Sequence, residues 1–341
     1  MSSSRTASTL RTAHGLAYTR GWIGSGRPRF QLILGHAVGF SKETFIPTLT
    51  ALGKLLEQRC CAATWIAIDF SGHGASRDAP PEPSKWNAHH ADEIIELLEG
   101  EVLPRGSDGY TASPLPLVGF GWSMGGAVLA NVEVKRPKTF EHVLMFEPPL
   151  FTRALALAAK LFGAIGMNVL ANGAAKRRRV WPSLEAARAH LLKRSGKHYV
   201  PTALDAWVGG AGFRPHADGN EDGTSGAVEL SCDPAYEARA YSWPGEALPV
   251  LAQRYDRNGM RNGCSFTLAV GEASQFSPMV ISGTGPAFYR QLLAPHLPGS
   301  SARVVSFGEA ATHMAPMEQP SLVAEGIVAD LEARGLLPSQ A

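Results

Sequence analysis

The chain has 341 residues, of which 45% are hydrophobic and 18% charged, and its formal net charge is +2. The hydrophobic share excludes a disordered chain, and the length suits one large α/β domain or two smaller ones. A net charge this small gives no reason to expect a nucleic-acid partner. The four cysteines have neither metal-ligand spacing nor the density of a disulfide framework, which indicates a reduced, intracellular protein.

Neither candidate targeting segment predicts export or a membrane span. Met1–Arg20 lacks the apolar core of a secretory signal, so we expect a frayed tail that leads into a first strand. Ala154–Ala175 is apolar enough to resemble a membrane span, but Lys160 would lie inside the bilayer and three glycines weaken a continuous helix. A pair of buried helices is the better interpretation, and no transmembrane segment is expected.

Short apolar runs alternate with helical patterns along both ends of the chain. The runs that predict strands are 30–34, 64–68, 115–120, 142–146, 265–270 and 303–307. The helical patterns are 45–56, 88–98, 124–134 and 322–331. Strand–helix alternation requires crossover connections, and continuous apolar strands are typical of a sheet buried on both faces. The pattern therefore predicts an α/β fold with a mostly parallel, doubly wound sheet.

The alternation stops after Phe146 and resumes near Ser265, and Pro148-Pro149 marks the start of the interruption. The residues between read as helices and loops, without a strand of comparable quality. We therefore predict a core formed by 1–147 and 245–341, with a mainly helical cap inserted at 148–244. An insertion at this point falls above the carboxyl ends of the strands, where a ligand binds in such folds.

The segment Gly121–Gly126 has the pattern G-x-S-x-G between a predicted strand and a predicted helix. This is the context of a nucleophile elbow, in which a strained turn exposes a serine hydroxyl above the strand ends. Ser123 is therefore the predicted nucleophile. The backbone N–H of Met124 lies at the start of the helix, where it can stabilise an oxyanion.

Two turns that follow the first two predicted strands have different expected roles. The turn Gly35–Phe40 is in position to give the second oxyanion donor, the backbone N–H of Val38. The turn Asp69–Ser76 has an acid and hydroxyls that we expect to bind local backbone. His73 is assigned to this structural turn and not to catalysis.

The general base is predicted to be His313. It lies in a loop between the last predicted strand and the last predicted helix, from which it can reach back over the strand ends to the serine. The other ten histidines lie in turns, on predicted elements or in poorly marked contexts.

Two glutamates compete for the role of the acid, which should lie between serine and histidine in the chain. The usual aspartate position, three residues after Gly271, holds Ser274, whose neutral hydroxyl cannot stabilise an imidazolium. Glu272 is near this position but is expected to point to solvent. Glu147 ends the strand after the nucleophile helix. We favour Glu147 and keep Glu272 as the alternative.

The segment Asp218–Glu229 satisfies a calcium-loop pattern, D-x-[DN]-x-[DN]-G-x5-E. Ser225 stands where an apolar residue is expected, and nearby glycines and prolines interrupt the flanking helices. We predict a flexible polar loop here and no metal site.

Between about Leu32 and Leu331 the chain resembles the α/β-hydrolase superfamily, and within it the fungal peroxisomal-lipase and toxin-biosynthesis hydrolases. Besides the elbow, the resemblance rests on 35–43, on Trp86 with His89 and Asp92, and on 177–186 and 228–238. It implies an α/β-hydrolase fold with an inserted cap, and hydrolysis of an ester or a lipid without a cofactor.

These features predict a serine hydrolase that cleaves a small-molecule or lipid carboxylic ester through an acyl-enzyme. The same triad also serves lactone hydrolysis, C–C bond hydrolysis and acyl transfer. A catalytically silent binding protein is the alternative that Ser274 favours. The cytoplasm is the default location; the resemblance suggests the peroxisome, but the C-terminus is not Ser-Lys-Leu.

Overall fold

The computed structural model describes residues 8–76, 86–103, 105–106, 109–110, 115–149, 165–195, 198–216, 226–242, 264–274 and 302–339. Its main strands are β1 (Leu10–Arg11), β2 (Ala17–Gly24), β3 (Pro28–Gly35) and β4 (Ala62–Ile68). A short hairpin follows, with β5 (Arg105–Gly106) and β6 (Gly109–Tyr110). Further along are β7 (Leu117–Trp122), β8 (His142–Phe146), β9 (Val180–Trp181), β10 (Phe213–Pro215), β11 (Val228–Leu230), β12 (Ser265–Val270) and β13 (Ala302–Ser306).

The helices of the core are α1 (Ile46–Glu57), α2 (Trp86–Glu101) and α3 (Met124–Lys135), and a short 3-10 helix spans Lys42–Phe45. The inserted segment contributes α4 (Ile165–Ala175), α5 (Leu184–Ser195), α6 (Pro201–Gly209) and α7 (Pro234–Ser242). The chain ends with α8 (Ala315–Glu318) and α9 (Pro320–Ala333). All six strands and all four helices predicted from the apolar patterns are present, with ends shifted by three residues or fewer.

Eight strands form one sheet in the order β1-β2-β4-β3-β7-β8-β12-β13. Only the pairs β1–β2 and β2–β4 are antiparallel, and the other pairs are parallel. One hydrophobic cluster joins the sheet to α2 and α3, and the other joins it to α1 and α9. Helices therefore cover both faces of the sheet, which confirms the predicted doubly wound α/β architecture. The parallel strands end at one edge, and this edge carries the candidate site.

The N-terminal segment differs from the expected frayed tail, because β1 and β2 add two antiparallel strands to the sheet. Tyr18 and Ala17 are buried, whereas Trp22 is 53% exposed. β2 pairs with β4 along its whole length. Thr19, Arg20 and two glycines interrupt its apolar residues, so it lacks the continuous apolar run by which the parallel strands were found.

The inserted segment contains more than the predicted helices and loops. β9, β10 and β11 form a small antiparallel sheet in the order β10-β11-β9. Each strand is only two or three residues long, too short to show the period-two pattern that predicts a strand.

Two segments for which the sequence makes a prediction lie partly outside the described residues. Of the apolar stretch 154–175, the structure describes 165–175, which forms α4 and packs against α7. None of the described helices is long and apolar enough to cross a membrane. Residues 217–225 of the calcium-like pattern are not described. Glu229, at its end, is 4% exposed and receives hydrogen bonds from Arg179, Arg214 and His216.

Candidate active site

Ser123 lies in a strained turn between β7 and α3. Its backbone has φ 52° and ψ −118°, a conformation that non-glycine residues adopt at a cost. Its N–H donates to the carbonyl of Phe146 at 2.8 Å, which ties the turn to the end of β8. Two close approaches need glycine: a Cβ on Gly121 would lie 2.3 Å from the Gly126 nitrogen, and one on Gly125 would lie 2.0 Å from the Gly35 oxygen.

We expect Gly125→Ala to destabilise the fold by about 3 kcal/mol, because the added methyl meets backbone that cannot move aside. The control is Gly100→Ala in α2, where a Cβ would meet nothing within 4 Å. This exchange should raise the free energy of unfolding by about 0.5 kcal/mol through helix propensity. Urea denaturation of both variants tests the pair, and equal stabilities would contradict the close approach at the elbow.

The two predicted oxyanion donors lie on either side of a contact that joins their turns. The N–H of Gly125 donates to the carbonyl of His36 at 3.1 Å, which holds the β3 turn against the start of α3. Val38 and Met124 are both buried. Among the described residues, no protein acceptor takes the N–H of either one. Both donors thus remain available for a ligand oxygen.

A buried ion pair supports the turn that contains Val38. Lys42 Nζ lies 2.7 Å from Asp69 Oδ2, and the Lys42 N–H donates to Asp69 Oδ1 at 2.7 Å. Asp69 also accepts the N–H of Ala75 at 2.9 Å. Burial raises the pKa of Asp69 to about 6, although Lys42 opposes the shift. Asp69 thus binds the backbone of its own turn, as predicted, and also that of the 3-10 helix that follows the turn Gly35–Phe40.

His36 is fully buried in the first of these turns. Its Nδ1–H donates to the Ala37 carbonyl at 2.8 Å, and its Nε2 accepts the N–H of Phe70 at 3.3 Å. Burial lowers the pKa of His36 from 6.5 to about 3. The imidazole therefore stays neutral in the folded protein over a pH range in which it is protonated in the unfolded chain.

The lowered pKa of His36 predicts that the folded state loses stability in acid. The folded-state pKa of His36 is below the unfolded value, so its contribution is complete above about pH 6.5 and falls as the pH drops towards 3. At pH 5 the loss is about 2 kcal/mol. His36→Asn keeps one donor and one acceptor but does not titrate. Denaturation at pH 7 and pH 5 should show a smaller loss for the variant, and equal losses would refute the assignment.

His313 and Glu147 are in contact at the carboxyl edge of the sheet. His313 Nδ1 lies 2.8 Å from Glu147 Oε2, and both side chains are largely buried. The indole N–H of Trp122, the residue before Ser123, donates to the His313 carbonyl at 2.8 Å. The loop after β13 is thereby fixed next to the elbow. In an imidazole whose Nδ1 donates to a carboxylate, Nε2 is the basic nitrogen.

Three donors orient the Glu147 carboxylate. Besides His313, the N–H of Gly271 donates to Oε1 at 2.9 Å and the hydroxyl of Ser274 donates to Oε2 at 2.7 Å. The backbone of Glu147 has φ 46°, and its N–H donates to the Ala269 carbonyl at 2.9 Å. The residue thus leaves β8 in a strained conformation that points its side chain towards β12.

The alternative acid, Glu272, is exposed and accepts a hydrogen bond from the hydroxyl of Ser306 at 2.6 Å. The structure therefore brings Glu147 to His313 and leaves Glu272 at the surface. Ser274, which occupies the usual aspartate position, is buried and contacts Glu147. Its position three residues after Gly271 identified it as the replacement for an aspartate. The sequence did not indicate its contact with Glu147.

The inserted segment packs directly on the site. The ring of Phe40 lies 4.8 Å from the ring of Trp122 and 5.0 Å from the ring of Trp207 on α6. The N–H of Val200 donates to the Met317 carbonyl at 2.9 Å, next to the His313 loop. Aromatic side chains from the elbow, from the turn Gly35–Phe40 and from the insertion thus pack against one another, and those of Trp122 and Trp207 are fully buried. The predicted cap limits 148–244 stay a prediction.

Comparison with known proteins identifies relatives of this chain. The profile described as "Alpha/beta hydrolase family" matches residues 32–326. A Type I acyl-CoA thioesterase from Penicillium roqueforti is 26% identical over 161 residues, which is 46% of this chain and 34% of that protein. The match thus spans about a third of the length of this curated relative.

Solved structures share the fold at low sequence identity. The peroxisomal alpha-beta-hydrolase Lpx1 from Saccharomyces cerevisiae is similar with a TM-score of 0.63 and 18% identity, over 100% of this chain and 88% of that chain. The thioesterase domain from the curacin biosynthetic pathway has a TM-score of 0.61 and 15% identity, over 95% and 98%. The Mycobacterium tuberculosis esterase Rv0045c has a TM-score of 0.61 and 18% identity, over 96% and 92%.

Proposed function

Because the chain belongs to the alpha/beta hydrolase family, we propose that it is a serine hydrolase that cleaves a carboxylic ester of a small molecule or lipid. The observation that carries the proposal is the 2.8 Å contact between His313 and Glu147 beside the elbow of Ser123. Nucleophile, base and acid come from three different loops at one edge of the sheet. An arrangement of this kind supports acyl transfer to the serine.

Each residue has a distinct task in the proposed reaction. Ser123 Oγ attacks the ester carbonyl carbon, and its proton passes to His313 Nε2. The N–H groups of Val38 and Met124 stabilise the negative oxygen of the tetrahedral intermediate. Collapse of the intermediate breaks the ester bond, and His313 protonates the leaving alkoxide. Water then attacks the carbonyl carbon of the acyl-enzyme, and His313 takes its proton. The second tetrahedral intermediate breaks its bond to Ser123 and releases the carboxylic acid product.

The acid is proposed to be Glu147, with Ser274 as its support. A carboxylate on Nδ1 stabilises the imidazolium that forms during attack and holds the correct tautomer. The hydrogen bond from Ser274 fixes the orientation of the Glu147 carboxylate. The serine at the usual aspartate position is therefore compatible with catalysis, which argues against the catalytically silent binding protein.

A thioester is the second candidate substrate. The relatives that favour it are the acyl-CoA thioesterase of Penicillium roqueforti and the curacin thioesterase domain. The chemistry on the enzyme is the same, because a thiolate leaves the tetrahedral intermediate in place of an alkoxide. An apolar acyl portion suits both candidates, since the half-buried Phe40 packs on the buried Trp122 and Trp207 next to the elbow.

A substrate panel tests the proposal and separates the alternatives. We expect hydrolysis of p-nitrophenyl esters of graded chain length, with a preference for longer acyl chains, and acyl-CoA thioesters should be compared at equal acyl length. Lactones, a C–C bond substrate and an alcohol acceptor for acyl transfer complete the panel. Failure on every ester and thioester would contradict the proposed function.

The location of the protein in the cell is part of the proposal. A cytoplasmic protein is the default for a chain with four free cysteines, and the similarity to a peroxisomal yeast hydrolase makes the peroxisome the alternative. Microscopy of a fluorescent fusion beside a peroxisomal marker distinguishes the two compartments.

A further inference from the structure

Three side chains on the N-terminal half of α2 form a cluster of metal-ligand type. His89 Nε2 lies 3.2 Å from Glu93 Oε1, and His90 Nδ1 lies 2.8 Å from Glu93 Oε2. One ligand atom from each residue fits within 4.8 Å of the others. Residues three and four positions apart share a helix face, so Glu93 meets both histidines.

The cluster combines burial with access from solvent. The side chains of His90 and Glu93 are 0% and 4% exposed, whereas that of His89 is 35% exposed. An ion can therefore approach past His89 and reach the buried carboxylate.

Two buried polar atoms near the cluster have no hydrogen-bond partner in the described part of the chain. His73 is 1% exposed, and in the described part of the chain its Nε2 has no hydrogen-bond partner. The ring of His73 lies 6.5 Å from the ring of His90. Ser71 Oγ is likewise buried without a partner, and the Ser71 N–H donates to Glu93 Oε2 at 3.4 Å. Buried polar atoms without partners are costly and rare in native proteins.

We propose that His89, His90 and Glu93 bind a divalent transition-metal ion, with Zn²⁺ as the best match and water in the remaining position. Two imidazoles and one carboxylate favour Zn²⁺ and its neighbours over Ca²⁺ and Mg²⁺, which prefer all-oxygen sites. Ligand atoms around a tetrahedral Zn²⁺ are roughly 3.3 Å apart, given metal–ligand bonds of about 2.0 Å. The three ligand atoms lie within 4.8 Å of one another, so the side chains must move closer together to bind one ion.

The ion would not take part in the proposed ester cleavage. Its binding displaces the proton that His90 shares with Glu93 and adds an interaction present only in the folded state. A ligand that binds the folded chain alone raises the temperature of unfolding. We therefore expect Zn²⁺ to raise the temperature of unfolding without changing the rate of ester turnover.

The experiment uses the full chain after treatment with a chelator and dialysis. Titration with ZnCl₂ by calorimetry should show about one equivalent of Zn²⁺ bound per chain, and thermal unfolding should move to higher temperature. Cobalt should give the visible absorption of a tetrahedral site, and CaCl₂ should give neither signal. His89 is half-exposed, so the His89→Gln variant should fold normally. The substitution should weaken Zn²⁺ binding by about tenfold or more.

The matched control is His14→Gln. His14 also faces a carboxylate, with Nε2 3.4 Å from Glu96 Oε1, but both side chains are exposed. This variant should bind Zn²⁺ like the unaltered chain, and both variants should keep the basal esterase rate. Absence of Zn²⁺ binding, or equal binding by His89→Gln and the unaltered chain, would overturn the proposal. Neither result would affect the proposed ester hydrolysis, which is measured without metal.

Discussion

Replacing Ser123 with alanine should abolish ester turnover and labelling by a fluorophosphonate, with a fall in kcat of at least about four orders of magnitude. In the proposed reaction the Ser123 hydroxyl forms the acyl-enzyme, and the elbow has no second nucleophile to replace it. The variant should fold normally, because alanine meets the same backbone strain as serine at φ 52°. His313→Ala should have a comparable effect, since residues that act as one unit are not additive.

The control for this experiment is Ser25→Ala, which removes an exposed serine from the surface. Turnover and labelling of this variant should match those of the unaltered chain. Thermal unfolding of all three variants excludes loss of the fold as the reason for lost activity. Undiminished turnover by Ser123→Ala would end the proposal of a serine nucleophile.

The second large effect is expected at Glu147. Glu147→Gln keeps the size of the side chain but removes the charge that stabilises the imidazolium. We expect kcat to fall by about two to four orders of magnitude, the range found for triad acids. Glu272→Gln is the control, because Glu272 is exposed and bonded to Ser306. If the Glu272 variant loses activity and the Glu147 variant does not, the acid lies after β12.

The contact between Ser274 and Glu147 allows a sharper test of the same role. Ser274 Oγ lies 2.7 Å from the oxygen that His313 contacts, so a carboxylate at position 274 would lie close to the imidazole. The double variant Glu147→Gln, Ser274→Asp should recover about tenfold or more of the activity lost by Glu147→Gln alone. Additive losses in the double variant would show that the two positions do not serve one histidine.

Much of the core could be predicted because parallel strands buried on both faces have continuous apolar runs. β8 and β12 begin and end at the predicted residues. The antiparallel β2 was not predicted because it lacks a continuous apolar run. Its first residues are buried, but Trp22 near its end is exposed. The strands of the insertion are stabilised by pairing with each other, and pairing is not visible in segments of two or three residues.

The site residues also differ in how well the sequence predicts them. Some lie in a local motif, whereas others depend on contacts between distant segments. Ser123 has a local motif because a tight turn needs glycines nearby, whereas the partner of His313 depends on how two strands lie side by side. β8 and β12 are neighbours, so Glu147 at the end of β8 meets Ser274 after β12. The missing aspartate indicated Glu147, but the left-handed backbone of Glu147 has no signature in the sequence.

The most direct test of the central proposal is peptide mapping of the chain after reaction with a fluorophosphonate. We predict a single covalent adduct on Ser123, formed at a rate that falls sharply in His313→Ala and Glu147→Gln. An adduct on another serine, or full ester turnover by a chain that the probe leaves unmodified, would contradict a Ser123–His313–Glu147 triad.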